Sequence, residues 1–474
     1  MPINSFSLCG QTYQTRNRLY TSERTFNWYP SVDESKHAQS PIELSPTPGL
    51  ATFTQTTDPP VRGLWAGDNR LFAVGGSRLH EVFANGTISE RGFVGSGATP
   101  VQFAASGMEL LIADGDRILR DGGTAITVVL EPAISVVWLD QYYVALEKDS
   151  NRLRFSFGDG GITWDPLDFI DVTGTTADRA VRLEVHEGHI WVFGRKSIVP
   201  YFDSGDANTP WQPIPGAVMD VGTMAPWSVT KIDQNLYWLG QDVNGYGRVY
   251  RSQGYTPVRI SNMAIEYLIK GYLTIGSGVD ELITGKGYTE NGHTFYVLSF
   301  PTAKATLVYD LTTEMWHERA RWNATTSEWE HWRGASFHAH VFGKHFVARI
   351  DAPPHEDGDE KKIYEQSVFL YTDDGLPIRR YRAAPYIAEK QQWLFHHHMK
   401  LFTNGDTAID MRYQLDDGIN WSNTRTVAPS KNEVEYRRLG RARDRLYEVS
   451  LLDSNTKSTA IIDAYLHATP GLER

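Results

Sequence analysis

The stretch LEVHEGHIWVFGRKSIVPYF, Leu183 to Phe202, decides the fold. An alternating run carrying Leu183 and Val185 meets a Glu187-Gly188 turn, and the apolar strand Ile190 to Phe193 follows. Gly194-Arg195-Lys196 then turns the chain into a third strand that ends in Tyr201-Phe202. Alternation broken by glycine-bearing turns is the pattern of a β-meander. The same grammar recurs from Gly63 to Phe83, Gln102 to Asp121, Val136 to Phe155 and Ser228 to Arg251. A longer copy runs from Ile283 to Asp310 and a degraded one from Ala335 to Tyr364, which makes seven.

The middle strands, marked by Phe72, Leu111, Tyr143, Trp191, Tyr237, Tyr296 and Phe346, are spaced 39, 32, 48, 46, 59 and 50 residues apart. Spacings near 45 belong to propeller blades, each a four-stranded sheet too small to bury its own faces and therefore stacked radially on its neighbours. The competing reading is a β-sandwich whose hairpins resemble one another. The expected fold is all-β, a propeller of six or seven blades with an extended N-terminal lead-in and a C-terminal β-sandwich.

A chain of 474 residues allows two to three domains by length, and a propeller would absorb about 300 of them. With 41 glycines, 14 tryptophans and 23 tyrosines, composition favours many turns and aromatic strands. The single cysteine, Cys9, excludes an intramolecular disulfide and a multi-cysteine zinc site. The N-terminus lacks a cationic start followed by an apolar core, and no window of 18 apolar residues occurs, so neither a signal peptide nor a membrane span is expected. A net charge of -11 argues against a protein that grips nucleic acid through its overall field.

Residues 1–60 carry Asn27-Trp28-Tyr29-Pro30 and Ser45-Pro46-Thr47-Pro48-Gly49-Leu50 without the blade grammar. They read as an extended lead-in that wraps the first blade or supplies a closing strand to the last. Blades are expected over residues 61–372, interrupted by Met263 to Gly276, where Ile265, Leu268, Ile269 and Tyr272 share one helical face. Residues 373–474 carry longer strands, Arg379 to Tyr381, Trp393 to Thr403, Ile409 to Leu415, Val434 to Leu439, Leu446 to Asp453 and Ala460 to His467. This region is read as a compact sandwich, separable in sequence and devoted to assembly.

Several constellations invite a chemical reading. The carboxylates Glu356, Asp357, Asp359 and Glu360 lack the EF-hand spacing and are read as a solvated hairpin tip. In His396-His397-His398, strand alternation would let only His396 and His398 share an ion, and packing or interface roles are preferred. His338, His340 and His345 receive the same reading. Trp393, His396, His398, Arg437, Arg438, Arg441, Arg443 and Arg445 are the candidate assembly surface. Asp-x-Gly-x-Thr-Trp at Asp159 to Trp164, and its variant at Asp416 to Trp421, resemble the hairpin-locking Asp boxes of sialidase-type propellers. A sialidase would need an arginine cluster, a Tyr/Glu nucleophile pair and an acid in the central funnel. No Ser-His-Asp elbow, phosphate-binding glycine loop or His-x-x-x-His helix stands out.

Asn27-Trp28-Tyr29-Pro30, Thr47-Pro48-Gly49-Leu50, Trp191-Val192-Phe193-Gly194 with Ser197 to Phe202, and Leu307-Val308-Tyr309-Asp310 together resemble, in order, the tail hub or packaged-DNA stabilisation proteins of short-tailed bacteriophages. The resemblance implies a non-enzymatic virion protein built around a propeller. It implies a homo-oligomeric ring, read as a hexamer, below the portal-adaptor protein. Such a ring extends the DNA channel, helps retain packaged DNA and supports a tail needle or plug and lateral tailspikes or fibres. Double-stranded DNA would pass through its lumen without tight binding, and assembly would take place in the host cytoplasm. No catalytic residue, metal or cofactor is assigned. The alternative is a carbohydrate-active, sialidase-like propeller hydrolase or a glycan-binding module.

Overall fold

Short hairpins pair each strand with its sequence neighbour, so the first five repeats each form their own antiparallel sheet. The loop residues Asp68-Asn69, Asp140-Gln141, Glu187-Gly188, Asn291-Gly292 and Phe342-Gly343 all have positive φ, the conformation that matches the twist of the flanking strands. The computed structural model describes residues 8–16, 22–33, 41–107, 109–123, 125–157, 163–172, 178–206, 209–241, 247–275, 282–351, 358–388, 392–415, 420–453 and 456–471.

Five four-stranded sheets follow in order, beginning at Val61, Gln102, Ala133, Ala180 and Thr230. A sixth set, Thr284–Glu290, His293–Phe300, Ala305–Asp310 and Met315–Glu318, has the same order within a larger sheet. In the seventh, Phe337–Val341, Lys344–Ala348 and Lys362–Ser367 are completed by Gly49–Gln55 from the N-terminal region. The seven residues that mark the middle strands all lie on the second strand of their set.

Alternate side chains leave a strand on opposite faces, so each sheet meets two neighbours. Ile190 and Val192 join Val144 and Leu146 of the third sheet. The intervening Trp191, with Phe193, joins Leu236 and Trp238 of the fifth. Tyr237 and Leu239 pack with Tyr296 and Leu298 of the sixth set. The sequence of cores closes where Ala339, Phe346 and Ile363 of the seventh set meet Val61, Leu71 and Ala73 of the first. This radial closure is that of a β-propeller. The helix Met263–Ile275 buries Ile265 and Ile269 beside Leu268 and Tyr272 against the fifth and sixth sets, as the sequence spacing predicts.

After Asp373 come the strands Arg379–Ala383, Leu394–Thr403, Ile409–Tyr413, Glu433–Ala442, Tyr447–Leu452 and Ile461–Pro470, close to the expected bounds. They form two sheets enclosing one core that includes Met399, Leu401, Ile409, Met411, Val449 and Leu466. The lead-in takes a larger part than expected. Ser22–Phe26 pairs with Arg379–Ala383, and Trp28–Val32 with Ile42–Pro46 joins the sheet of Ile461–Pro470. Trp28 and Leu44 are fully buried in this C-terminal core. A cut near Asp374 would therefore strip the cover from N-terminal apolar residues, contrary to the separability read from the sequence.

The packing gives a first prediction. Trp191→Ala and Tyr237→Ala, each removing a ring buried between sheets, are expected to cost about 3–5 kcal/mol apiece. Denaturant unfolding of the full chain measures this, and an unchanged melting temperature for both variants contradicts the inter-sheet packing.

Candidate functional site

The first strands of a propeller's sheets border its axis, and here Arg182, Lys231, Lys286 and His338 from four sets line a common cavity of about 340 Å³. Arg182 lies 3.7 Å from Glu184 and 4.6 Å from the Trp227 ring. Burial lowers the pKa of Arg182 and raises that of Glu184, with each partner opposing the shift of the other. Lys286 donates to the carbonyls of Gly334 and Phe337, and burial with the nearby Arg319 charge drives its pKa far down. Among the described lining residues Glu184 is the one carboxylate and no tyrosine occurs. The lining thus lacks both the carboxylate pair of ordinary glycosidases and a Tyr/Glu nucleophile pair.

The fold does assemble a serine, histidine and aspartate that the linear sequence keeps apart. Ser299 Oγ lies 2.8 Å from His331 Nε2, whose Nδ1 lies 2.5 Å from Asp351 Oδ1, and Arg349 pairs with the other carboxylate oxygen at 2.6 Å. Ser299 and His331 are completely buried, so no substrate can approach the hydroxyl. The relay instead ties the sixth set to the segment preceding the seventh. A looser copy links Ser31 to His293 at 3.4 Å and His293 to Asp310 at 2.7 Å, joining the lead-in to the sixth set.

The histidine-rich strand departs from simple alternation. A register shift between His396 and His398 inserts a bulge, so His396 points into the core while His397 and His398 both lie on the outer face. His396 and His398 therefore lie on opposite faces, not on the one face that strand alternation predicts. His396 Nδ1 meets the Tyr447 hydroxyl at 2.9 Å, and His397 and His398 both pack against His467. Among the described residues no group of three or more His, Cys, Asp or Glu is arranged to hold a metal.

The basic turn divides in two. Arg445 is buried, donating to the carbonyls of Leu439 at 2.6 Å and Arg441 at 3.1 Å, and is not available to a partner. Arg437, Arg438, Arg441 and Arg443 are exposed. The Arg441 and Arg443 guanidinium groups lie 4.7 and 5.1 Å from the Trp393 ring centroid.

In the acidic loop Asp359 and Glu360 are buried rather than solvated, whereas Glu356 and Asp357 fall outside the described residues. Asp359 accepts from Arg333 at 2.6 Å, Lys362 at 2.9 Å and Arg321 at 3.1 Å. Against the desolvation that burial imposes, Lys362 and Arg333 hold its carboxyl well below the usual range. Both Asp-box turns lie mostly outside the described residues.

A closed ring of sheets around a cavity lined by Arg182, Glu184, Lys231 and Lys286 defines a β-propeller. Residues 3–350 match the family model described as bacteriophage P22 Gp10, beta-propeller, and the chain belongs to this family, the packaged-DNA stabilisation proteins of short-tailed phages. It is a structural component of the phage virion that stabilises packaged DNA. No curated protein matches. Similar solved structures include the extracellular domain of BT4673 from B. thetaiotaomicron, at 9% identity and TM-score 0.43, covering 87% of this chain and 58% of that one. The WD40 domain of Neurospora crassa Pan2 aligns at 8% identity and TM-score 0.42, over 67% of this chain and 95% of its own. PorZ of Porphyromonas gingivalis aligns at 10% and 0.36, over 80% and 46%.

Burial, the Arg445 charge and His397 push the His396 imidazole down from 6.5 to about 3. Below pH 6.5 the unfolded chain takes a proton there that the folded chain refuses until about pH 3. Stability from this group is therefore full above 6.5 and falls with pH by about 1.4 kcal/mol per unit. Urea unfolding between pH 6 and 4 is expected to give His396→Gln a slope shallower than wild type by about that amount. Identical slopes contradict a buried neutral imidazole.

Proposed function

We propose that the chain is the tail hub subunit of a short-tailed phage, forming a homo-oligomeric ring, read as a hexamer, below the portal-adaptor protein. The ring extends the DNA channel, retains DNA together with a needle or plug, and anchors tailspikes or fibres. The match of residues 3–350 to the packaged-DNA stabilisation family carries this reading. The closed succession of seven sheet cores supports a seven-bladed propeller as its scaffold, completed by residues 49–55. The second body, residues 373–474 with strands from 22–46, is the assembly domain of this reading, and its half-buried Trp393 beside the exposed Arg441 and Arg443 suits that role.

The axial lining gives a sialidase-like activity no support, and enzymatic turnover is no part of the proposal. Assembly in the host cytoplasm follows from the virion role. DNA passes without tight binding, because each lumenal cation would add a phosphate contact whose release costs free energy. The lumen-facing surface is accordingly acidic in this reading, consistent with a net charge of -11 per chain multiplied around a ring.

Particles assembled without the chain are expected to lose packaged DNA, and addition of purified protein to tailless filled heads is expected to restore retention. Purified ring is expected to bind duplex DNA no better than an unrelated acidic protein in a filter-binding or anisotropy titration. Filled particles that keep their DNA without the chain overturn the hub role. Tight binding that weakens steeply with salt overturns the repulsive channel.

A further inference from the structure

Three ten-residue strands, Leu394–Thr403, Glu433–Ala442 and Ile461–Pro470, lie side by side in the C-terminal body with nearly flush ends. At about 3.3 Å per residue they separate the two ends of the sheet by about 30 Å. The two ends carry opposite charge.

At one end Leu394 pairs with Ala442, and the Arg441 and Arg443 guanidinium groups both lie against the Trp393 ring. Phe395 beside them is 42% exposed. Among the described residues Arg438 and Arg441 have no carboxylate partner. At the other end, where Phe402 pairs with Glu433, a cavity of about 580 Å³ opens. Asp33, Glu43, Glu433 and Asp463 line it together with Lys431, Glu433 also lying 3.5 Å from Lys400, and Ile462, 40% exposed, lines its wall. The cavity has room for an indole, an apolar wall for its face and carboxylates for its flanking cations.

We propose that the Trp393, Arg441 and Arg443 end of one copy docks into the carboxylate-lined cavity of the next copy. The proposal rests on the ring reading above and names the contact that makes the ring. A contact between two different patches is head-to-tail, and copies related by a closing rotation form a ring rather than a two-fold dimer. Tryptophan and arginine at a desolvated centre are the side chains that carry most interface energy. At -11 per chain, like copies repel at long range, so local complementarity of this kind is what aligns them.

Two charge-reversed full-length proteins test the contact, one R441E/R443E and the other E433K/D463K. Each alone presents like charges at every contact and is expected to need at least about tenfold more protein to assemble in sedimentation velocity, about 1.4 kcal/mol per contact. Mixed in equal amounts they are complementary at both ends and are expected to recover rings in which the two alternate. Trp393→Ala, which changes no charge, is expected to lose assembly with its melting temperature kept. Reversed proteins that assemble like wild type, a mixture that does not recover, or a Trp393→Ala chain that assembles normally overturns the contact. In each of those cases wild-type rings leave the hub reading standing. A wild-type chain that forms no ring in solution or on tail particles overturns the hub reading and this contact with it.

Discussion

Asn27 is the point through which the two bodies hold each other. Its φ of +57° places it in the left-handed region that asparagine tolerates better than most side chains. Its amide nitrogen donates to the carbonyls of Ala320, at 2.8 Å, and Arg379, at 2.7 Å, while its amide oxygen accepts from Ala320 N–H. Its backbone carbonyl accepts from Thr47 and from Arg380, which also pairs with the fully buried Asp453 at 2.5 Å. Removing one partner of such a pair strands a buried charge, which makes this crossing costly to open. The next two residues leave in opposite directions. Trp28 enters the C-terminal core and donates to Thr459, whereas Tyr29 packs with Phe295 and Val297 of the sixth set.

That arrangement makes the fold depend on long-range closure. Residues 49–55 must return to Lys362–Ser367 before the seventh sheet is complete, and Arg382 must find Leu8, Gln11 and Thr25 across more than 350 residues. Local hairpins form without either contact, but the seventh sheet of the ring is complete only when residues 49–55 have met residues 362–367. Such topologies pay loop-closure entropy before the contacts reward it, and they fold slowly for that reason.

What was legible in the sequence follows the same division. The Glu187-Gly188 turn, the alternation around Trp191 and the helical face of Ile265 and Ile269 are local patterns, and the structure keeps them. The strands after Arg379 were legible by the same means. The placement of strand 22–26 and of the hairpin over 28–46 was not, because Phe26 pairs with Tyr381 and Leu44 with Ile461, and pairing with partners more than 350 residues away leaves no local period. Asp359 and Arg445 read as surface charges because the groups that satisfy them, Arg333 and the Leu439 carbonyl, are chosen by the fold. The bulge at His396 to His398 reverses the face assignment by inserting one residue, and three identical side chains give no clue to where it falls. The Ser299, His331 and Asp351 relay likewise exists only after two sheets meet.

The buried charges also bear on how such a protein meets DNA. Among the described residues nine carboxylates are buried, among them Asp310, Asp351 and Asp453, against eight cations, among them Arg62, Arg319 and Arg380. The interior is therefore nearly neutral, and almost all of the net -11 lies outside it. Non-specific affinity for a duplex comes from lysines and arginines that displace counterions from phosphate. This chain commits a substantial group of arginines to internal carbonyls and carboxylates, where they join segments distant in sequence and cannot reach a phosphate. Holding the fold together and withdrawing these arginines from the surface are in this respect one choice of residue placement.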